Sequence, residues 1–211
     1  MQLINELDYL KQMLLKMADA VQNNILNAFR VLQKEKAVYD INDEIVDRYE
    51  HLIDEICLNI MIKERPYARD LRLVSGILKL VADLERIGDH AEDIMNFNMK
   101  LKDIDIEQLP EVDEMVKYAL EMVKNAIDSF IKMDLALAHS VIEEDDKVDK
   151  IFIEVILKFS QELPKTKEYL AFMIFTTLVV KYIERIADHA VNIAEWVIYI
   201  INGYHKDKKI F

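Results

Sequence analysis

Glycine, proline and cysteine are nearly missing from this chain: three, three and one in 211 residues. All-β and loop-rich folds need turn residues at every reversal, so the scarcity excludes them and leaves long helices. The single cysteine, Cys57, excludes an intramolecular disulfide and fits a reducing compartment, with the thiol packed as a small hydrophobe. Basic clusters are lacking too. The net charge is -12, and the clearest lysine group is Lys206, Lys208 and Lys209, read as a frayed end, so the footprint of a nucleic-acid binder is missing. Long apolar runs are also absent. The most apolar stretch, Tyr169 to Val180, stops at Lys181 and falls short of the roughly 18 residues a membrane span requires, which predicts no direct membrane insertion. The first residues carry acid where a secretory signal carries base, so the expected location is the cytoplasm.

What is present is a mixture of 52% hydrophobic and 31% charged residues, suited to amphipathic helices and too apolar for intrinsic disorder. Breakers divide the chain into six helical segments: 2–34, 37–63, 67–101, 111–132, 135–161 and 166–203. Pro66 and Pro164 play matching roles, and Gly203 is a natural C-cap. An internal repeat underlies this plan. The run Glu85-Arg86-Ile87-Gly88-Asp89-His90-Ala91 recurs as Glu184-Arg185-Ile186-Ala187-Asp188-His189-Ala190, six identities in seven at an offset of 99 (85 to 184). Upstream, Asp43, Val46 and Asp47 recur as Asp145, Val148 and Asp149 at an offset of 102 (43 to 145). The difference falls between second and third helices, where length changes are tolerated. The fold class is therefore all-α: two tandem three-helix bundles related by internal duplication, residues 1–105 and 106–211. They are expected end to end, with two small cores and a lesser interface between them.

Residues four apart on a helix lie about 40° from each other on one face. Glu85 and Asp89 therefore share a face, on the shoulder of the apolar stripe that includes Leu84, Gly88, Ala91 and Met95. On the second helix Asp43, Asp47, Glu50 and Asp54 form an acidic ridge beside Val46, Tyr49, Ile53 and Ile60. The second repeat keeps the pairs Asp145 with Asp149 and Glu184 with Asp188, while Phe152 and Ile156 replace the counterparts of Glu50 and Asp54. Like charges at this spacing cost roughly 0.2–0.5 kcal/mol per pair, and a half-buried charge costs more, so something must offset them. One remedy is Arg86, which can reach Asp89 or Asp83. The other is a bound cation: oxygen donors from two adjacent helices suit Mg²⁺, Mn²⁺ or Ca²⁺, or iron if ligands bridge more than one ion. The competing reading is a solvated acidic face, and duplication of the arrangement favours metal. His90 and His189 point about 100° away from Asp89 and Asp188 and are read as structural or surface groups rather than ligands. His51 is better placed, but its counterpart is Ile153.

No catalytic residue is assigned. There is no Glu-x-x-His of di-iron carboxylate enzymes, no Gly-rich phosphate loop, no Cys-based metal motif and no His-Glu-x-x-His. A ferritin-like metal-dependent oxidase or metal store stays as the alternative function, and an acidic scaffold that binds basic partners without metal as a third.

The segment from Leu71 to Lys79 leading into Asp83-Leu84-Glu85-Arg86-Ile87-Gly88-Asp89-His90-Ala91 resembles the third helix of PhoU-family phosphate regulators, and Ile183 to Ile193 resembles the sixth. The resemblance covers nearly the whole chain. It implies multinuclear clusters of iron or zinc, with magnesium or manganese as alternatives, held by Asp43, Asp47, Glu85 and Asp89 in one repeat. Asp145, Asp149, Glu184 and Asp188 would hold the other. It also implies a cytoplasmic negative regulator that links the phosphate-specific ABC transporter ATPase to a phosphate sensor histidine kinase. A homodimer is the expected assembly. Asn192 stands where the first repeat has Asp93, a departure that bears on the second cluster's outer coordination.

Overall fold

The computed structural model describes residues 2–32, 41–100, 109–206 and 208–209. Six helices account for nearly all of them: α1 (Gln2–Leu32), α2 (Asp43–Lys63), α3 (Arg69–Lys100), α4 (Pro110–Lys132), α5 (Leu135–Ser160) and α6 (Lys167–Asn202). Their ends follow local chemistry. Asn42, Asp134 and Thr166 accept hydrogen bonds from the backbone N–H groups of Ile45, Leu137 and Tyr169, satisfying donors that a helix start leaves free. Pro110 opens α4, where its missing N–H costs nothing. Gly203 closes α6 at φ 85°, a left-handed conformation that glycine adopts without strain. The expected boundaries agree within a few residues, except that α2 starts at Asp43 rather than near residue 37; residues 33–40 lie outside the described residues.

Helices α1, α2 and α3 pack on one another, as do α4, α5 and α6, giving the two expected bundles. Their relation corrects the end-to-end expectation. The most extensive helix contact in the molecule is α3 with α6, which joins the bundles side by side, and one continuous apolar cluster runs through both. The physical reason lies in the width of the α3 stripe. Its buried residues Leu73, Val74, Ile77, Leu80, Val81, Leu84, Ile87, Ala91 and Ile94 sweep about 160° of the helix surface, enough to face its own bundle and α6 together. The packing is close: a Cβ added to Gly76 would lie 2.3 Å from Ile200 Cγ1, so the α6 side chain fills the space a larger residue would need. Ser75 and Tyr199 hydroxyls meet at 3.3 Å beside it, and Phe97 packs on Phe175 and Tyr182 further along.

The C-terminal segment also departs from expectation. Tyr204–His205 pairs antiparallel with Lys208–Lys209, the His205 ring stacks on Trp196 at 3.9 Å, and Lys206 pairs with Glu195 at 3.2 Å. The aromatic stack and ion pair dock a turn that composition alone reads as frayed. Cys57 is buried, as expected, and burial pushes its thiol up to about 12.

Candidate metal site

In each bundle the four carboxylates singled out in the sequence lie on two adjacent helices, near enough to raise one another's proton affinity. Asp43 and Asp47 lie on the first two turns of α2, and Glu85 and Asp89 near the middle of α3; Val46 and Ile87, both fully buried, place the ridges beside the core. Burial first, then the neighbouring charges of Asp47, Glu92 and Asp89, raises the Asp43 carboxyl to about 6. Glu85 is raised to about 7 by burial and by Asp89, Glu50 and Asp47, against the lowering influence of Arg86. Asp43 Oδ1 is buried and has no hydrogen-bond partner among the described residues. It lies against the α3 backbone, since a Cβ added to Gly88 would stand 3.3 Å from it. In the second bundle burial and the charges of Asp149, Asp188, Glu184 and Asp146 raise Asp145 to about 6. Asp188 is raised by burial and by Glu184 and Asp149.

Two kinds of compensation are built in. Arg86 donates to Asp89 at 2.9 Å and approaches Glu85 at 3.4 Å, while Asp83, its other candidate partner, is engaged elsewhere. In the second bundle Lys181 pairs with Glu184 at 2.5 Å, and Arg185 lies 3.9 Å from both Glu184 and Asp188. These side chains are only partly buried, so their pairs offset little of the repulsion. Among the described residues no three His, Cys, Asp or Glu groups already form a cage around one point. The carboxylates are gathered, and side-chain rotation has to complete any coordination. An orphaned buried oxygen in a hard-donor set with raised proton affinity is nonetheless a fit for a cation, which satisfies the same lone pairs a proton would.

Two features lay outside the sequence reading. Glu92, seven residues after Glu85, joins the electrostatics of the first site; its place on the same helix face was the available signal. Between the bundles, Asp83 Oδ1 meets His189 Nδ1 at 2.8 Å and accepts from Asn192 at 3.1 Å. The duplicate positions hold Tyr182, His90 and Asp93: the His90 ring lies 5.5 Å from Tyr182 and 5.6 Å from His189, and its Nδ1 is 4.0 Å from Asp93. The histidines therefore sit at the inter-bundle seam, and burial and His189 lower His90. His51 is exposed.

Fold and site together define a duplicated helical protein whose two bundles each gather carboxylates from adjacent helices. The family model for the PhoU domain matches twice, over residues 14–97 and 112–197, and the chain belongs to the PhoU family. It is 31% identical over 215 residues to the phosphate-specific transport system accessory protein PhoU homolog of Clostridium acetobutylicum, covering 96% of this chain and 95% of the relative. The homolog from Pseudomonas aeruginosa is 33% identical over 210 residues, covering 94% and 84%. The crystal structure of PhoU from P. aeruginosa superposes with a TM-score of 0.83 at 30% identity, covering 95% of this chain and 99% of that one.

Proposed function

We propose that this chain is a metal-binding regulatory adaptor of phosphate transport. It works in the cytoplasm as a homodimer, without catalysis of its own, and restrains a phosphate sensor histidine kinase while contacting the ATPase of the phosphate-specific transporter. The transport role rests on the relatives, which are named phosphate-specific transport system accessory proteins. Among the described residues no helix is long and apolar enough to cross a membrane, in keeping with an accessory role.

What supports the metal reading is that, in both bundles, carboxylates on adjacent helices raise one another's proton affinity, one of them having a buried oxygen without a hydrogen-bond partner among the described residues. Asp43, Asp47, Glu85 and Asp89 would hold one centre, and Asp145, Asp149, Glu184 and Asp188 the other. A bound cation, iron or zinc in the first instance and magnesium or manganese otherwise, would supply the positive charge that these helices lack where they meet. The residues themselves set the geometry. Asp43 Oδ1 lies beside Gly88 of α3, and the buried valines Val46 and Val148 fix the height at which each α2 or α5 pair faces its partner helix. Arg86 and Arg185 stand on the outer side and limit how much charge a cation must offset.

Deleting the gene in its host tests the regulatory role: phosphate-starvation genes should rise in phosphate-rich medium. Unchanged expression would remove the kinase-restraining part of the reading.

A further inference from the structure

The two carboxylate sites are duplicates that differ in charge. Glu50 and Glu92 add to the burial that raises Glu85 and Asp43 respectively, and their equivalents in the second bundle are Phe152 and Val191, at offsets of 102 and 99. Ala82, exposed on α3, has Lys181 as its equivalent on α6. Each of these three exchanges makes the second site less negative by one charge. Two of them meet in space: the Lys181 ammonium lies 5.2 Å from the centroid of the Phe152 ring on α5 and 2.5 Å from Glu184 on its own helix. Phe152 follows Asp149 by three residues and Lys181 precedes Glu184 by three, so both stand about one turn from the carboxylates, on the faces that bear them. The ring attracts the ammonium through its negative face, at the place where the first bundle has a carboxylate. A cation belonging to the chain therefore lies between the two helices of the second site. Burial and Glu184 raise the Asp188 carboxyl, and Arg185 and Lys181 work against that rise.

We propose that Lys181 is a tethered cation that competes with metal for the second site. The two centres then fill in order: the first at low metal, the second only when an ion displaces the ammonium. The inference rests on the metal reading above and adds the regulation of that site. Charge sets the order, because the number of carboxylates in an all-oxygen site tunes its affinity for a hard cation, and here the second site has the fewer carboxylates and the additional cation. Exposure makes displacement feasible. The Lys181 side chain is 39% exposed and that of Glu184 14%, so the ammonium can swing into solvent while the carboxylate stays in place. A partly exposed pair of single charges is weak. A divalent ion meets the same ammonium with twice the charge, which about doubles the effect of Lys181 on the ion. A chain built this way distinguishes three levels of metal supply, with neither, one or both centres filled.

Calorimetric titration of the full metal-free chain with Mn²⁺, and separately with Zn²⁺, tests this one site at a time. With the first site removed by Asp89→Ala, adding Lys181→Met keeps an apolar stem over Phe152 and drops the charge; it should tighten the second site by at least about threefold. Lys181→Arg in the same background should leave that site weak, and Lys167→Met, 14 residues earlier on α6, should leave it unchanged. With the second site removed by Asp188→Ala, the reverse exchange Ala82→Lys should weaken the first site by a similar factor. Metal binding that responds to neither Lys181→Met nor Ala82→Lys would overturn the tethered cation and leave the metal reading in place. Tightening by Lys181→Arg or Lys167→Met equal to that by Lys181→Met would do the same. No binding by wild type or by any variant would overturn both.

Discussion

Glu85 and Asp43 show what a carboxylate costs at the edge of a core. Their proton affinities are raised to about 7 and about 6, chiefly by burial, from ordinary values of 4.5 and 3.8. Between the ordinary and the raised values the folded chain binds more protons than the unfolded one, so stability of metal-free protein falls as pH rises. The fall should begin near pH 4 and level off above about 7. Glu85→Gln removes one contributor: metal-free protein at pH 8 should gain on the order of 1 kcal/mol, roughly 2–4 °C in Tm, with no gain at pH 4. Differential scanning calorimetry in chelator checks this, and an equal change at both pH values would place the effect outside ionisation. Gly88 belongs to the same scale. It is the one position in the duplicated seven that differs, and a Cβ there would stand 3.3 Å from Asp43 Oδ1, a tight approach that a small shift of the carboxylate relieves, in line with Ala187 at the same place in the second bundle.

Helices α3 and α6 are the elements on which the molecule turns, because each serves its own bundle and the junction. At Gly76 the Ile200 side chain of α6 occupies the space a Cβ would take. Gly76→Ala places a methyl 2.3 Å from Ile200 Cγ1 and 2.7 Å from its Cδ1, so despite alanine's better helix propensity the substitution should destabilise by about 1–3 kcal/mol through overpacking. Urea denaturation measures it, and pairing with Ile200→Val should recover part of the loss. The six helices and their duplication were legible in the sequence because they rest on local periodicity and on a repeated heptapeptide. That Asp43 and Asp47 lie near Glu85 and Asp89 was legible for the same reason: two ridges beside two stripes are brought near when the stripes bury each other. The side-by-side junction was not. It depends on pairs more than 100 residues apart, such as Ser75 with Tyr199 and Asp83 with His189, and a wide stripe does not name the second helix it faces. The docking of the C-terminal turn was likewise hidden, since nothing local ties His205 to the face of Trp196.

At the scale of the whole molecule, a single apolar cluster spanning both bundles makes them one cooperative unit, so metal-free protein should unfold in one transition by every probe. Two transitions would mean that the α3–α6 junction is weaker than its packing implies. Cation binding is the claim on which the regulatory account depends. A ligand held only by the folded state at 100 times its dissociation constant adds about 2.7 kcal/mol, or roughly 5–10 °C in Tm for a chain of this size. The direct measurement is calorimetric titration of metal-free protein with Fe(II), Zn²⁺, Mn²⁺ and Mg²⁺. Asp89→Ala and Asp188→Ala should each remove about half of the bound metal, and the double variant nearly all of it. Equal binding by wild type and the double variant, or no binding by either, would contradict the account.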